Sequence, residues 1–598
     1  MIKATNPYPD NTLLLPPPEL DLFSVADRLG LSKTQTISPS VELPPIYQEG
    51  DSSQFWLTDL STNTMTRIQA NLVKISDHAY WYFDPKFTPS TTSLEKAVRA
   101  YEEIIHPKII AFWGPEWVAG VDNDPHLTIL HAYFDGGAGY FSSLDGYPSY
   151  IRQFSNERKM IYINLNALTL ATPEHLGTLA HELQHAIHWF HDSSEETWVN
   201  EGLSEVARGI AGYGFSSAHN FLVSPSVQLN QWPSDNTLTP PHYGASALFI
   251  EYLAQNYGGY ENLKTLTEIQ GDGIAGIDAY LKELSFDVSF NDVFKNWLVA
   301  NYLDPLEEYP YHYPDSNVAL YPDTKLSIGQ SISLTTPQYA GEYVILNTGN
   351  TSSLLSFKGD RENHLLPISP LSGEYCWWSN RGDSINSTLT RELDLTLASN
   401  PDLSFWMWHS IEENWDYLYL TISANGGTSW SIIETVSTSD INPTGTGFGP
   451  GYTGSNKKWK EYSVDLSEYS GKKIQFRFEY ITDESVNKEG VCIDEISISE
   501  LGFFEDAESP SAWIGSGFVR INNILAQNYS IQLVQVNDTI HVTDLTLDEN
   551  NEGYLIVQPE TEDTINLVIV APITTLTTQH SSYTLSLSDP TADLAHVD

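Results

Sequence analysis

Residues 180–205 read AHELQHAIHWFHDSSEETWVNEGLSE, in which His181, Glu182 and His185 form an H-E-x-x-H pattern. On an α-helix, side chains four residues apart stack on one face. His181 and His185 can therefore offer two imidazole nitrogens to one metal ion, with Glu182 beside them. A catalytic zinc site takes three protein ligands and leaves a fourth position to water. Glu201 is the candidate third ligand. Fifteen residues separate it from His185, room for the helix to end and a second helix to return.

The flanking sequence supports that layout. Thr172-Pro173-Glu174 is a helix start: a capping hydroxyl, a proline at the first position and an acid facing the dipole. Ser193-Ser194-Glu195-Glu196 reads as a capping box opening a second helix, which stops near Gly209, Gly212 and Gly214. A third helix begins near His242 and carries Ala245, Leu248, Phe249, Tyr252 and Leu253 on one stripe. Further helices are expected over 260–270, 273–284 and 289–303. Upstream, a Thr92-x-x-Glu95 box opens a helix whose stripe is Leu94, Ala97, Val98, Tyr101, Ile104 and Ile105. Three strand-like pieces follow it, HLTILHAYF, AGYFSS and KMIYINLN. Strands followed by helices make residues 91–308 an α+β unit, with a mixed-sheet lobe and a helical lobe. Residues 45–90 read as a small β unit before it, and 1–44 as an irregular, pro-like arm.

Beyond residue 308 helical periodicity disappears. Strands of five to eight residues recur between Gly, Asn, Asp and Pro turns, as in SISLTTP, AGEYVILN, LSFWMWHSI, KIQFRFEY and INLVIVAP. These are β-sandwich signals. The chain is thus a multidomain α+β protein whose second half is all-β. At 598 residues it is too long for one core, since domains average about 150 residues. Its net charge of −48 disfavours nucleic acid and anionic lipid as partners. No apolar run approaches the roughly 18 residues that a membrane span needs. The start, MIKATNPYPDNTLLLPPPEL, shows no basic segment followed by an apolar one, so no signal peptide is legible.

The residue types explain the chemistry. Zinc on two neutral imidazoles and one carboxylate keeps Lewis acidity and brings the pKa of its water to about 7. Glu182, one residue from a ligand, would take that water's proton and pass it to the leaving nitrogen.

HELQHAIHWF…ETWVNEGLSE resembles the gluzincin metallopeptidases, and most closely the hyicolysin-type peptidases. The resemblance implies a zinc endopeptidase acting on protein or peptide, with His181, His185 and Glu201 as ligands and Glu182 as general base. It matches Glu205 to a carboxylate that orients a ligand histidine. It matches Gly139, Tyr140 and Phe141 to the edge strand that pairs with extended substrate. It also implies a Tyr or His donor to the oxyanion, for which Tyr243 and His242 are the alternatives. His188 and His191 are expected on the surface or in packing, since a fourth protein ligand would close the site. WVNEG is also similar to zinc aminopeptidases, but their G-x-M-E-N amine anchor has no counterpart here.

GEYCWWSNRGDSINSTLTRELDL and EGVCIDEISI resemble the jelly-roll module of immune inhibitor A-type secreted metallopeptidases. This implies a jelly roll at 371–500, inserted into a flanking β-sandwich built from 309–370 plus 501–598, and an extracellular location. It makes Cys376–Cys492 a candidate disulfide, and Asp383, Asp483 and Asp494 candidates for a structural calcium. Trp377, Trp378, Trp406, Trp408 and Trp415 are either a glycan platform or core. A non-enzymatic adhesin and an aminopeptidase are the competing functions.

Overall fold

The computed structural model describes residues 16–31, 46–115, 121–215, 217–269, 271–303, 310–313, 318–349, 351–509, 511–537, 539–558 and 564–590. Much of the arm expected over 1–44, and the last eight residues of the flanking sandwich, lie outside these. Six strands make the first sheet: β1 (Ser52–Asp59), β2 (Thr64–Ile75), β3 (Ala79–Phe83), β4 (Leu127–Ala132), β5 (Gly139–Phe141) and β6 (Met160–Asn164), in the order β1-β2-β3-β4-β6-β5. The first three pair antiparallel, β3, β4 and β6 run parallel, and β5 returns antiparallel on the edge beside β6. The small unit expected at 45–90 is therefore not separate. AYWYF is buried at every position, because it is covered on both faces and paired on both edges.

Nine helices are described: α1 (Leu22–Arg28), α2 (Thr91–Ala100), α3 (His106–Trp113), α4 (Pro173–His191), α5 (Thr197–Ile210), α6 (Ala218–Val223), α7 (Thr239–Asn256), α8 (Gly273–Glu283) and α9 (Phe290–Leu303). The cap of α2 is Ser90, whose hydroxyl accepts from the Ser93 amide, rather than Thr92. A π-type stretch, Tyr101–Ile105, joins α2 to α3 and offsets the periodicity, so Ile104 of the expected stripe is exposed. One core joins α4, α5, α7 and α9 to the sheet. Trp198 on α5 is buried against Phe249 of α7 and Phe290 of α9, with ring centroids 5.7 and 6.0 Å away. A Cβ on Gly202 would lie 2.6 Å from the Ile250 side chain and 2.8 Å from the Ser246 carbonyl oxygen. Only glycine lets α5 and α7 approach this closely.

Downstream, strands 324–327, 330–336, 342–347 and 353–359 join strands 529–536, 540–544, 552–557, 565–572 and 581–588 in two facing sheets of four and five strands. Between these two runs, residues 376–521 form another pair of sheets around Phe405, Leu420, Phe476 and Phe478. Strands 503–505, 514–516 and 519–521 belong to this inner pair, so its boundary lies past 500, near 521. Each added strand finds its partner edge here: 519–521 pairs with 376–378, and 514–516 with 386–394. Cys376 and Cys492 form a disulfide between neighbouring strands. Trp378 and Trp408 are core, whereas Trp377, Trp406 and Trp415 are half-buried.

The β modules touch the helical lobe directly. Helix α1, in the arm expected to be irregular, buries Val25 among Tyr417, Tyr419 and Ile481, and its Arg28 pairs with Glu479. Asp383 is buried. Its Oδ2 accepts from the Thr197 amide (3.0 Å) and hydroxyl (2.8 Å) at the first residue of α5. The capping box expected at Ser193–Glu196 is not formed; the α5 N-terminus has no side-chain cap of its own. A carboxylate from 186 residues away replaces it, also facing the positive end of the helix dipole. Asp383→Ala is expected to cost about 0.5–2 kcal/mol, the range for a lost cap, read as a shift in the urea unfolding midpoint.

Candidate metal centre

Helix α4 has the start expected of it: Thr172 is the cap, Pro173 opens the helix and Glu174 lies in the first turn. Its inner face carries His181 and His185, and the antiparallel α5 brings Glu201 across from them. His181 Nε2 and His185 Nε2 are 3.0 Å apart, and Glu201 Oε2 is 3.2 and 3.4 Å from them. Ligands about 2.0–2.1 Å from a tetrahedral ion stand about 3.3 Å apart, so this triangle has the dimensions of a zinc ligand set.

The protons are placed by what lies behind each ring. His185 Nδ1 is 3.0 Å from Asn200 Oδ1, an oxygen that only accepts, so Nδ1 carries the hydrogen and Nε2 the lone pair. His181 Nδ1 is 3.3 Å from Glu205 Oε1 and is oriented in the same sense. Glu201 Oε2 is buried and accepts no well-aligned hydrogen bond. Two ring nitrogens and a carboxylate oxygen thus converge within 3.4 Å of one another, a set that fits a divalent cation in place of the proton the carboxylates otherwise favour on His181. Burial alone would lower the pKa of His181, but Glu201, Glu205 and Glu182 hold it well above its ordinary value. Burial pushes Glu201 up, yet the two imidazoles bring it far below the usual carboxylate range.

Glu182 is buried, and that burial raises its pKa against the lowering effect of His181 and His185. It adjoins the edge strand: a Cβ on Gly139 would stand 3.1 Å from Glu182 Oε1, and the Phe141 backbone bonds to this carboxylate. Tyr140 points away from His181, His185 and Glu201. Its ring stacks on Tyr162 at 4.1 Å, and its hydroxyl accepts from the Thr58 amide. Phe141 lies on the other side, 5.8 Å from Trp189. Tyr243 donates its hydroxyl to Glu201 Oε1 at 3.2 Å; burial and the nearby carboxylates keep it protonated. His242 is turned instead toward the Gln228 and Gln231 backbone, and burial lowers its pKa to about 4.

One residue of consequence, Asn200, was not singled out from sequence, and another, Asp383, has a different role from the one expected. Asn200 accepts from the Nδ1 atoms of both His185 and His188, and the pairing is foreshadowed only by its place beside Glu201. Asp383, proposed for calcium, caps α5 instead. Asp494 is likewise committed to the Leu371, Ser372 and Glu495 amides. Asp483 lies with Glu412 and Asp416, one oxygen of each within 4.8 Å of the others. His191 is exposed and faces the Pro115 carbonyl oxygen at 3.2 Å.

Against known proteins, the inner β module matches a described domain. Residues 360–523 match the immune inhibitor A-like MAM domain. The pre-pro-metalloprotease PrtV of Vibrio cholerae is 28% identical over 176 residues, 29% of this chain and 18% of that protein. Immune inhibitor A of Bacillus thuringiensis is 32% identical over 158 residues, 25% of this chain and 22% of the relative. Bacillopeptidase F of Bacillus subtilis is 28% identical over 139 residues, covering 22% and 9%. The matches thus span less than a quarter of each relative and lie in the C-terminal part of the chain. This part carries the MAM-like module and is related to parts of proteins named as proteases. Among the described residues no helix is long and apolar enough to cross a membrane.

Below the edge strand, Asp145 is buried and accepts from the Tyr162 hydroxyl (2.5 Å) and the Asn156 amide (2.7 Å). Burial pushes its pKa up to about 7 despite those bonds. A raised folded-state pKa contributes stability that is full below about pH 4, declines as pH rises, and is gone once pH passes about 7. Asp145→Asn should therefore flatten this part of the Tm–pH curve between pH 4 and 7.

Proposed function

We propose that the chain is a secreted zinc endopeptidase of gluzincin type, with His181, His185 and Glu201 holding the ion. The observation that carries this reading is the convergence of two Nε2 atoms and a Glu201 carboxylate oxygen within 3.4 Å of one another. When bound, zinc supplies Lewis acidity toward a water and toward the scissile carbonyl. Glu182 takes the proton from the attacking water and delivers it to the leaving nitrogen. Its raised pKa suits that exchange, because a base poised nearer neutrality both accepts and returns a proton. Glu205 and Asn200 hold the two rings with Nε2 facing Glu201.

Tyr243, rather than His242, is the donor to the oxyanion, because its protonated hydroxyl already stands 3.2 Å from a metal ligand. Substrate lies extended along β5, pairing with its backbone, and Phe141 and Trp189 line the approach. The MAM-like module and the flanking sandwich brace the helical lobe, the former through Asp383. Glu412, Asp416 and Asp483 are the set that would hold a structural calcium.

Casein hydrolysis should be abolished by a zinc chelator and restored by zinc. Glu182→Gln should lower kcat by about 10²–10⁴ while zinc content is retained; wild-type activity in that variant would overturn the mechanism. Tyr243→Phe should lower kcat by about 10²–10³ with little change in KM. An endopeptidase cleaves a peptide with both termini blocked, whereas an aminopeptidase requires the free amine and an adhesin cleaves neither.

A further inference from the structure

Just past the first ligand set, α4 and the turn into α5 bring together His188, Asp192 and Glu195. A ring nitrogen of His188 and one oxygen from each acid lie within 4.8 Å of one another. His188 is fully buried. Its Nδ1 is 3.1 Å from Asn200 Oδ1, which only accepts, so Nδ1 carries the hydrogen and Nε2 the lone pair. That Nε2 has no hydrogen-bond partner. Burial lowers the ring's pKa to about 3, so the lone pair is not neutralised by a proton at physiological pH.

Glu195 shows the complementary arrangement. Its Oε1 accepts from the Gly273 and Glu196 amides, both at 2.7 Å, which fixes the carboxylate and turns Oε2 inward. Oε2 is buried and has no partner. Asp192 is held by the Ser194 amide and hydroxyl at its Oδ1, and Ser194 also donates to Asp272. An imidazole acceptor and two acids therefore face one another, and burial together with the Asp272, Asp192 and Glu196 carboxylates raises Glu195 well above the usual carboxylate range, a repulsion that a bound cation relieves.

We propose that His188, Asp192 and Glu195 form a second divalent-metal site, distinct from the His181–His185–Glu201 set, that takes zinc. One imidazole with two carboxylates suits a borderline ion better than calcium, which takes oxygen ligands. Ligand bonds of about 2.0–2.2 Å place donors about 3–4 Å apart, so the trio closes on the ion by less than about 1 Å. The ion ties the end of α4 to the approach to α5, the turn that sets how Glu201 meets His185. Asn200 joins the two sites, since one oxygen fixes the tautomer of a ligand in each.

The site is tested by zinc content after equilibration of the full chain with ZnCl2 and removal of excess. Glu195→Gln keeps the acceptor for the Gly273 and Glu196 amides, and its new amide can donate to His188 Nε2, so folding is favoured without metal. Wild type should hold one more zinc per chain than Glu195→Gln, and zinc should raise the Tm of Glu195→Gln by less than that of wild type. Asp192→Asn, at a half-buried position, should show the same loss. If both variants hold as much zinc as wild type and gain the same Tm from it, the proposal is overturned. Glu201→Gln separates the two sites: it should lose an equivalent that Glu195→Gln retains. If only the acids at 192 and 195 matter, the second site stands and the peptidase reading fails.

Discussion

The Glu201 carboxylate stands 3.2 and 3.4 Å from two imidazole nitrogens, and the helical lobe is arranged to hold it there. Buried unpaired charge is too costly to persist without compensation. Every neighbouring contact supplies part of that compensation. Asn200 and Glu205 engage the far sides of the rings, and Tyr243 donates to the second carboxylate oxygen. Gly202 lets α7 approach closely enough for Tyr243 to reach. Trp198, wedged on Phe249 and Phe290, stops α5 from sliding along its axis.

This constraint extends into the β half of the chain. The helix that delivers Glu201 has no local cap, and its first amide is satisfied by Asp383 from the inserted module. The Ser384 hydroxyl donates to the Ser193 carbonyl oxygen, and buried Arg152 donates to that of Thr446. The flanking sandwich meets the helices through Tyr343, whose hydroxyl donates to the Leu298 carbonyl oxygen, and through Tyr339 packed on Phe290 and Phe294. The β modules are therefore part of the scaffold that fixes the placement of Glu201 beside His181 and His185.

How much was legible varied with the range of the interaction. The α4 start, the shared helix face of His181 and His185, and the length of α7 follow from local spacing and capping chemistry. The π-type stretch at Tyr101–Ile105 was not legible, since a one-residue offset leaves no local signal. Nor was the fusion of 45–90 into the sheet, because strand pairing depends on partners about 50 residues away. Asp383 and Asp494 read as calcium ligands for a related reason. A carboxylate that caps a distant helix or holds distant amides looks, in sequence, like one that binds an ion.

By itself the sequence determined the helical spacing of His181 and His185, the β texture beyond 308 and the likeness of residues 371–500 to the β module of immune inhibitor A-type proteins. These are encoded within a few turns or strands, where periodicity and residue chemistry suffice. Only the tertiary structure decided that Tyr243 and not His242 reaches Glu201, that Asn200 orients two histidines, and that His188 turns a buried lone pair toward Asp192 and Glu195. Those outcomes depend on how helices rotate and cross once packed, and adjacent residues on a helix point about 100° apart. A one-residue difference in sequence thus separates a group at the site from one in the core.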